Sequence, residues 1–198
     1  EGIYKSGKKH GLWVEDSPPF KFTKINYKEG MKDGLWTQRL FQVREEGNYK
    51  ANSKEGVWTT WSHNGQKTRE ENYKAGKREG LWTRWSANGP MQYQWNYKDG
   101  KKEGLESFWY ENGQKCYETN YKDGKKNGLS TRWYKNGHKS SVRFYEAGNR
   151  ADRYGSFQPK LVTADAWTSD GEKCVITNVR AGSGEFVSYW LNNEKNFH

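Results

Sequence analysis

The sequence predicts an all-β protein, an elongated antiparallel meander of tandem β-hairpins with about 24 residues per repeat. The segment NYKDGKKEGL at 96–105 returns almost unchanged as NYKDGKKNGL at 120–129. Each unit carries two glycine-containing turn signals, N-G and D-G or variants of them, which are typical of hairpins. The segments between these turns are rich in Trp, Tyr and Thr, and they are too short and too rich in glycine for helices.

The composition indicates a folded chain with an unusual core. The 198 residues carry a formal net charge of +10 and only 32% hydrophobic residues, a balance that is otherwise typical of disordered chains. The 11 Trp, 13 Tyr and 8 Phe are too many for a solvated coil and favour burial in thin layers. No apolar run approaches the roughly 20 residues that cross a bilayer. No signal peptide is visible, but a chain that starts at Glu1 can have lost one by processing or truncation, so the compartment stays open.

Two landmarks define the repeat. The tyrosine of the motif N-Y-K-x-G-K-x-x-G-L-W recurs every 22 to 24 residues, and the motif W-x-x-N-G follows it in four units. The segment WTSDGEKC at 167–174 aligns with WYENGQKC at 109–116. We therefore predict tandem hairpin repeats over 1–150, an irregular insertion over 151–166, and a degenerate terminal repeat or cap over 167–198.

The turns set the expected strand register. A two-residue turn at Asn112-Gly113 would place Trp109 opposite Cys116, Leu105 opposite Asn120 and Gly104 opposite Tyr121. A turn at Gly100-Lys101 would place Tyr97 opposite Gly104. Each tyrosine would then lie between two glycines, with its ring over bare backbone. The residues given this structural role are Tyr73, Tyr97, Tyr121, Tyr145, Gly80, Gly104 and Gly128.

The same register places a row of tryptophans on the opposite face, together with Leu81, Leu105 and Leu129. Strands about 4.8 Å apart would space equivalent residues about 9.6 Å apart. One interpretation is packing between adjacent hairpins; the other is a recognition face for a protein or a glycan. The candidate partner-binding residues are Trp61, Trp85, Trp109 and Trp133.

Basic residues recur beside the D-G turns, along one long edge of the predicted sheet. Acidic neighbours such as Glu79 and Glu103 reduce the charge of each turn. The edge either keeps sheets from associating or attracts an anionic surface such as phospholipid or nucleic acid. The candidate residues are Lys77, Arg78, Lys101, Lys102, Lys125 and Lys126.

The sequence offers little support for catalysis. It contains no nucleophile elbow, zinc-protease motif or phosphate-binding loop. Carboxylates at turns, such as Asp99 and Asp123, are explained by bonding to their own backbone. Cys116 and Cys174 lie two repeats apart, too far for an intramolecular disulfide. We predict that the protein is not an enzyme and has no catalytic, cofactor-binding or metal-binding residues.

Together, Y-K-x-G-K-x-x-G-L-W and W-Y-x-N-G-Q-K resemble the bacterial variant of the MORN repeat, many members of which are grouped as YwqK-family antitoxins. The resemblance implies a β-hairpin array that binds or scaffolds another protein, with an antitoxin-like role. Membrane binding is a further association of this family. We therefore expect a scaffold for protein–protein interaction. The alternatives are binding of anionic surfaces through the lysine edge or of glycans through the Trp and Tyr rows. The open ends of the sheet would allow a homodimer.

Overall fold

The computed structural model is all-β and confirms the predicted antiparallel meander of tandem hairpins. It describes residues 2–17, 21–41, 43–146, 160–176 and 189–190. The chain divides into two compact units, Glu1–Lys101 and Lys102–His198, which are described in turn.

The first unit is a meander in which strands that are neighbours in sequence pair with each other. The two-residue strand β8 and the longer β9 both pair with β7, since an irregularity separates them. The strands are β1 (Ile3–Lys5), β2 (Lys8–Ser17), β3 (Lys21–Lys28), β4 (Met31–Leu40), β5 (Val43–Lys50), β6 (Ser53–Trp61), β7 (Lys67–Lys74), β8 (Lys77–Arg78), β9 (Gly80–Trp85) and β10 (Met91–Lys98).

In sequence, β11 (Lys101–Lys102) lies at the boundary of the units, and the second unit then repeats the pattern. Its main strands are β12 (Gly104–Trp109), β13 (Lys115–Lys122), β14 (Lys125–Trp133), β15 (Lys139–Glu146) and β16 (Lys160–Ala166). A separate two-stranded sheet pairs β17 (Val175–Ile176) with β18 (Tyr189–Trp190).

Part of the predicted insertion is regular structure. Residues 160–166 form β16, which pairs with β15 from Ser141↔Ala166 to Glu146↔Lys160. The description of the whole segment 151–166 as irregular is therefore wrong, while 147–159 lies outside the described residues. In the predicted terminal repeat, Thr168 and Gly171 form the same turn bonds as the N-G loops, and most of 177–198 lies outside the described residues.

The short turn lies one residue earlier than predicted. Asp99 and Gly100 form it, with φ of 50° and 84°, and Asp123 and Gly124 repeat it with 51° and 80°. Positive φ at both central residues is the type I′ geometry, whose twist matches that of the flanking strands. The prediction of a turn at Gly100-Lys101 is therefore wrong.

The N-G turn also differs from the prediction, because it is a three-residue loop. The Tyr110 N–H donates to the Gln114 carbonyl at 2.8 Å, and Gly113 has a φ of 81°. The Asn112 side-chain oxygen accepts the Gln114 N–H at 3.1 Å. Such loops combine a type I turn with a left-handed glycine, which leaves one residue unpaired. Trp109 therefore lies opposite Lys115 and not, as predicted, opposite Cys116.

Between the turns the register matches the sequence argument on one side only. Leu105 lies opposite Asn120 and Gly104 opposite Tyr121, and the pairs Tyr97↔Gly80 and Tyr145↔Gly128 repeat this arrangement. On its other side each tyrosine faces a basic residue, as in Tyr73↔Arg78 and Tyr121↔Lys126. The prediction of glycine on both sides is wrong, because the strand after the I′ turn contains an irregularity before its glycine.

The core of the first unit is an aromatic layer on one face of its sheet. Ile25, Trp36 and Trp58 are buried, and Tyr49 and Tyr73 pack against them. The Trp58 ring centroid lies 5.0 Å from those of both Trp36 and Tyr49. We call the face of each unit that carries the repeat tyrosines the aromatic face. A single-layer sheet buries little area, so these rings supply much of its hydrophobic stabilisation.

Candidate interaction surfaces

The opposite face of each unit carries a row of exposed aliphatic residues, and we call it the leucine face. Leu81 is 45% exposed and Leu129 51%. An asparagine in the neighbouring strand explains this exposure in part: the Asn72 side-chain amide donates to the Leu81 carbonyl at 2.7 Å, and Asn120 does the same for Leu129 at 3.2 Å. The row consists of Leu12, Leu35, Val57 and Leu81 in the first unit and Leu105 and Leu129 in the second.

The four predicted partner-binding tryptophans lie on the leucine face. Strand alternation places Trp61 with Val57 and Trp85 with Leu81 in the first unit. In the second unit, Trp109 lies with Leu105 and Trp133 with Leu129. All four are half-buried.

Basic side chains lie close to three of these tryptophans. The Arg44 guanidinium carbon is 4.1 Å from the Trp61 ring centroid, and Lys67 Nζ is 5.6 Å from that of Trp85. Lys115 Nζ is 5.7 Å from that of Trp133. Each tryptophan therefore combines an apolar surface with a neighbouring cation.

The predicted basic edge splits between the two faces. Arg78, Lys102 and Lys126 pack over rings on the aromatic face. Arg78 Cζ lies 5.3 Å from the Tyr97 centroid, Lys102 Nζ 5.0 Å from that of Tyr121, and Lys126 Nζ 5.3 Å from that of Tyr145. Strand alternation directs Lys77, Lys101 and Lys125 to the leucine face. Half of the edge therefore also stabilises the fold.

Like charges face each other beside the I′ turns. Lys74 lies opposite Lys77, and Lys122 lies opposite Lys125. Like charges directly across a ladder destabilise a sheet. These pairs border the exposed aliphatic row, so each unit presents lysines beside leucines on one face.

The carboxylates next to the turns join successive repeats. The Asp99 N–H donates to Glu79 Oε2 at 2.8 Å, and the Asp123 N–H donates to Glu103 Oε2 at 2.9 Å. Each glutamate therefore caps the turn of the following repeat. The sequence argument treated these residues only as charge compensation. The signal that would have revealed them is the acidic residue that precedes the glycine at Asp33, Glu55, Glu79 and Glu103.

The sequence argument also missed the aromatic-face tryptophans. Trp58 and Trp82 directly follow the exposed Val57 and Leu81, and both are buried. Their indole N–H groups donate to the Asn48 and Asn72 carbonyls at 3.2 and 2.9 Å. The tryptophan of each G-L-W motif was visible in the sequence but was given no role.

Two buried glutamates lie on the aromatic face and are both partnered. Glu71 accepts the Tyr73 hydroxyl at 3.1 Å and lies 3.3 Å from Arg69 Nε. Burial, followed by the charge of Glu71, raises the pKa of Tyr73 to about 12. Glu106 lies 2.5 Å from Lys102 Nζ. Burial, followed by the charge of Glu106, raises the pKa of Tyr121 well above its ordinary value.

An open depression of about 530 Å³ lies beside Tyr73 and Leu81, lined in part by Glu55, Lys74 and Glu79. It contains none of the predicted site residues apart from Tyr73 and Gly80. Among the described residues, no group of three or more His, Cys, Asp and Glu side chains is placed to hold a metal ion. No helix in the described part of the chain is long and apolar enough to cross a membrane.

Comparison with known families identifies the repeat. Residues 54–75, 78–99 and 102–123 match the family model described as MORN repeat variant. Three tandem repeats of the chain carry this signature. Each match begins after one I′ turn and ends in the next, so it covers one structural repeat. MORN repeats are generally associated with protein or membrane-lipid interactions. No curated protein matches the chain.

Proposed function

We propose that the protein is a non-enzymatic MORN-like scaffold that binds a protein partner through its leucine face. The observation that carries this proposal is the row of exposed aliphatic side chains, each between 36% and 53% exposed, at equivalent positions of successive repeats. Contiguous exposed apolar surface is unusual on soluble proteins and marks interaction sites. The aromatic face has less to offer, since Trp36, Trp58 and Trp82 are buried there.

The half-buried tryptophans suit the role of anchors beside this row. Trp and Arg are the residue types most enriched among those that dominate binding energy. Arg44 over Trp61 provides both types at one place, with 4.1 Å between the guanidinium carbon and the ring centroid. A partner that covers Val57 and Trp61 together would bury an aliphatic and an aromatic side chain on the same strand.

The resemblance to bacterial antitoxin repeats suggests the first partner to test, a toxin encoded beside this gene. The measurement is the dissociation constant of that complex by calorimetry, for the full chain and for Leu81→Gln combined with Trp85→Ala. We expect at least a tenfold loss of affinity with an unchanged circular dichroism spectrum. Arg84→Gln, an exposed residue between them on the other face, is the matched control. Retained affinity in the double variant would exclude the leucine face.

A specific observation favours a second candidate, an anionic membrane surface. The opposed pairs Lys74↔Lys77 and Lys122↔Lys125 border the aliphatic row. Anionic headgroups would relieve their repulsion while the leucines enter the interface. Sedimentation with vesicles containing phosphatidylserine should show binding that falls steeply between 50 and 500 mM salt and weakens in Lys74→Gln with Lys77→Gln. Binding that does not respond to salt would reject this candidate.

A further inference from the structure

The aromatic face changes character in the second unit. Trp58 and Trp82 occupy equivalent positions of the repeat, 24 residues apart, and the next two positions in this series are Glu106 and Ser130. All four side chains are buried. Glu106 is neutralised by Lys102, whose Nζ lies 2.5 Å away. Ser130 therefore has no charged group of its own at the place where the first unit carries an indole ring.

Hydroxyl groups surround Ser130. Its Oγ lies 2.8 Å from Thr119 Oγ1, and both side chains are buried. Ser141, also buried, lies on the same face of the next strand. The first unit has Glu71 and Arg69 at the positions that correspond to Thr119 and Tyr117, so this run of small hydroxyl side chains is confined to the second unit.

Cationic side chains flank these hydroxyls. Arg143 lies directly opposite Ser130, and Arg132 lies directly opposite Ser141. The two arginines are thus diagonal neighbours on one face, about 7–8 Å apart at the backbone. Lys126 lies on the same face, with its Nζ 5.3 Å from the Tyr145 ring centroid. Among the described residues, neither Lys126 nor Arg132 forms an ion pair.

We propose that this hydroxyl–arginine cluster (Thr119, Ser130, Arg132, Ser141 and Arg143) binds the phosphate group of a phosphate monoester. Two guanidinium groups can grip a phosphate through paired N–H donors, and Arg is the residue best suited to that geometry. The serine and threonine hydroxyls can donate to the remaining oxygen atoms. Three positive charges on Lys126, Arg132 and Arg143 match a dianionic group better than a single carboxylate.

The site is independent of the proposed partner surface because it lies on the opposite face of the sheet. Ser130 and Leu129 are consecutive residues of β14, so their side chains point to opposite faces. A substitution on the leucine face that abolishes partner binding should leave phosphate binding intact. Failure of one proposal is therefore distinguishable from failure of the other.

The test is a titration of the full chain, followed by ¹H–¹⁵N NMR at constant ionic strength. The probes are inorganic phosphate, phenyl phosphate and glycerol phosphate, with chloride as the reference anion. Shifts should concentrate on the amides of β14 and β15. A preference for phenyl phosphate would assign an aromatic carrier, and equal affinities would assign recognition to the phosphate group alone. No shift with any of the three probes overturns the proposal.

Variants separate the cluster from general basicity. Ser130→Trp restores the residue of the first unit, where Trp82 packs 5.3 Å from Tyr73 and 5.1 Å from Tyr97, and Tyr121 and Tyr145 occupy the corresponding places. It should keep the fold and weaken phosphate binding at least tenfold. Arg143→Gln, which leaves the packing position polar, should weaken it about fivefold or more. Arg84→Gln, two repeats before Arg132, should have no effect. Equal weakening by Arg84→Gln, or none by Ser130→Trp and Arg143→Gln, overturns the proposal.

Discussion

The two tryptophans of β6 should separate folding from binding. Trp58 lies on the aromatic face with 2% of its surface exposed, whereas Trp61 is half-buried on the leucine face three residues later. Replacing each by alanine changes the same side chain in the same strand. We expect Trp58→Ala to destabilise the protein severely, and Trp61→Ala to act mainly on partner binding.

The magnitudes follow from the contacts of each ring. Trp58 packs against Trp36 and Tyr49 with centroids 5.0 Å away, lies under Lys54 Nζ at 3.8 Å, and donates its indole N–H to the Asn48 carbonyl. Truncation of a buried Trp to Ala costs about 3–5 kcal/mol. Trp61 is half-buried and has one close cation, Arg44, so we expect about 1–2 kcal/mol for it.

The assay is urea unfolding of the full chain, followed by far-ultraviolet circular dichroism so that loss of a fluorophore does not affect the signal. The free energy of unfolding should fall by about 4 kcal/mol in Trp58→Ala and by clearly less in Trp61→Ala. Equal losses in the two variants, or a larger loss in Trp61→Ala, would refute the assignment of the two faces.

Three further changes test the turns and the aromatic face by unfolding measurements. Ala75→Gly should raise the free energy of unfolding by up to about 1 kcal/mol, because Ala75 has a φ of 48° in the I′ turn; a loss of stability would contradict that geometry. Glu79→Ala should lower it by about 1–2 kcal/mol, since the Asp99 N–H loses its charged acceptor, and an unchanged midpoint would argue against the cap. Tyr73, whose pKa is raised from 10.0 to about 12, stabilises the fold fully below pH 10 and loses this contribution as the pH rises towards 12. The difference in stability between the unmodified protein and Tyr73→Phe should therefore shrink over that window, and a constant difference would contradict the assigned environment of the hydroxyl.

The sequence predicted the strands well because a two-residue period and a repeated turn leave few registers. The pairs Leu105↔Asn120 and Gly104↔Tyr121 could be derived from the position of Asn112-Gly113 alone, and the change to a three-residue loop alters only the residues next to the tip. The type of each turn was harder to derive. An N-G pair suits both geometries, and here the Asn112 side chain favours the longer loop by accepting the Gln114 N–H.

The faces were predicted less completely than the strands. The placement of Trp61 and Trp85 with the leucines follows from alternation, but the burial of Trp58 and Trp82 depends on their packing against Tyr73. That packing depends in turn on the irregularity after each I′ turn, which brings a basic residue rather than a glycine to the second side of Tyr73. A pattern of residue types does not reveal such an irregularity, since it adds residues without changing the repeat period.

The division of the sheet into a buried aromatic face and an exposed leucine face can be tested by solvent paramagnetic relaxation on the full chain. A soluble paramagnetic agent broadens the NMR signals of groups that it can approach. The methyl signals of Leu81, Leu105 and Leu129 should broaden strongly, while the indole N–H signals of Trp58 and Trp82 should be protected. Protected leucine methyls together with strongly broadened Trp58 and Trp82 signals would contradict the account.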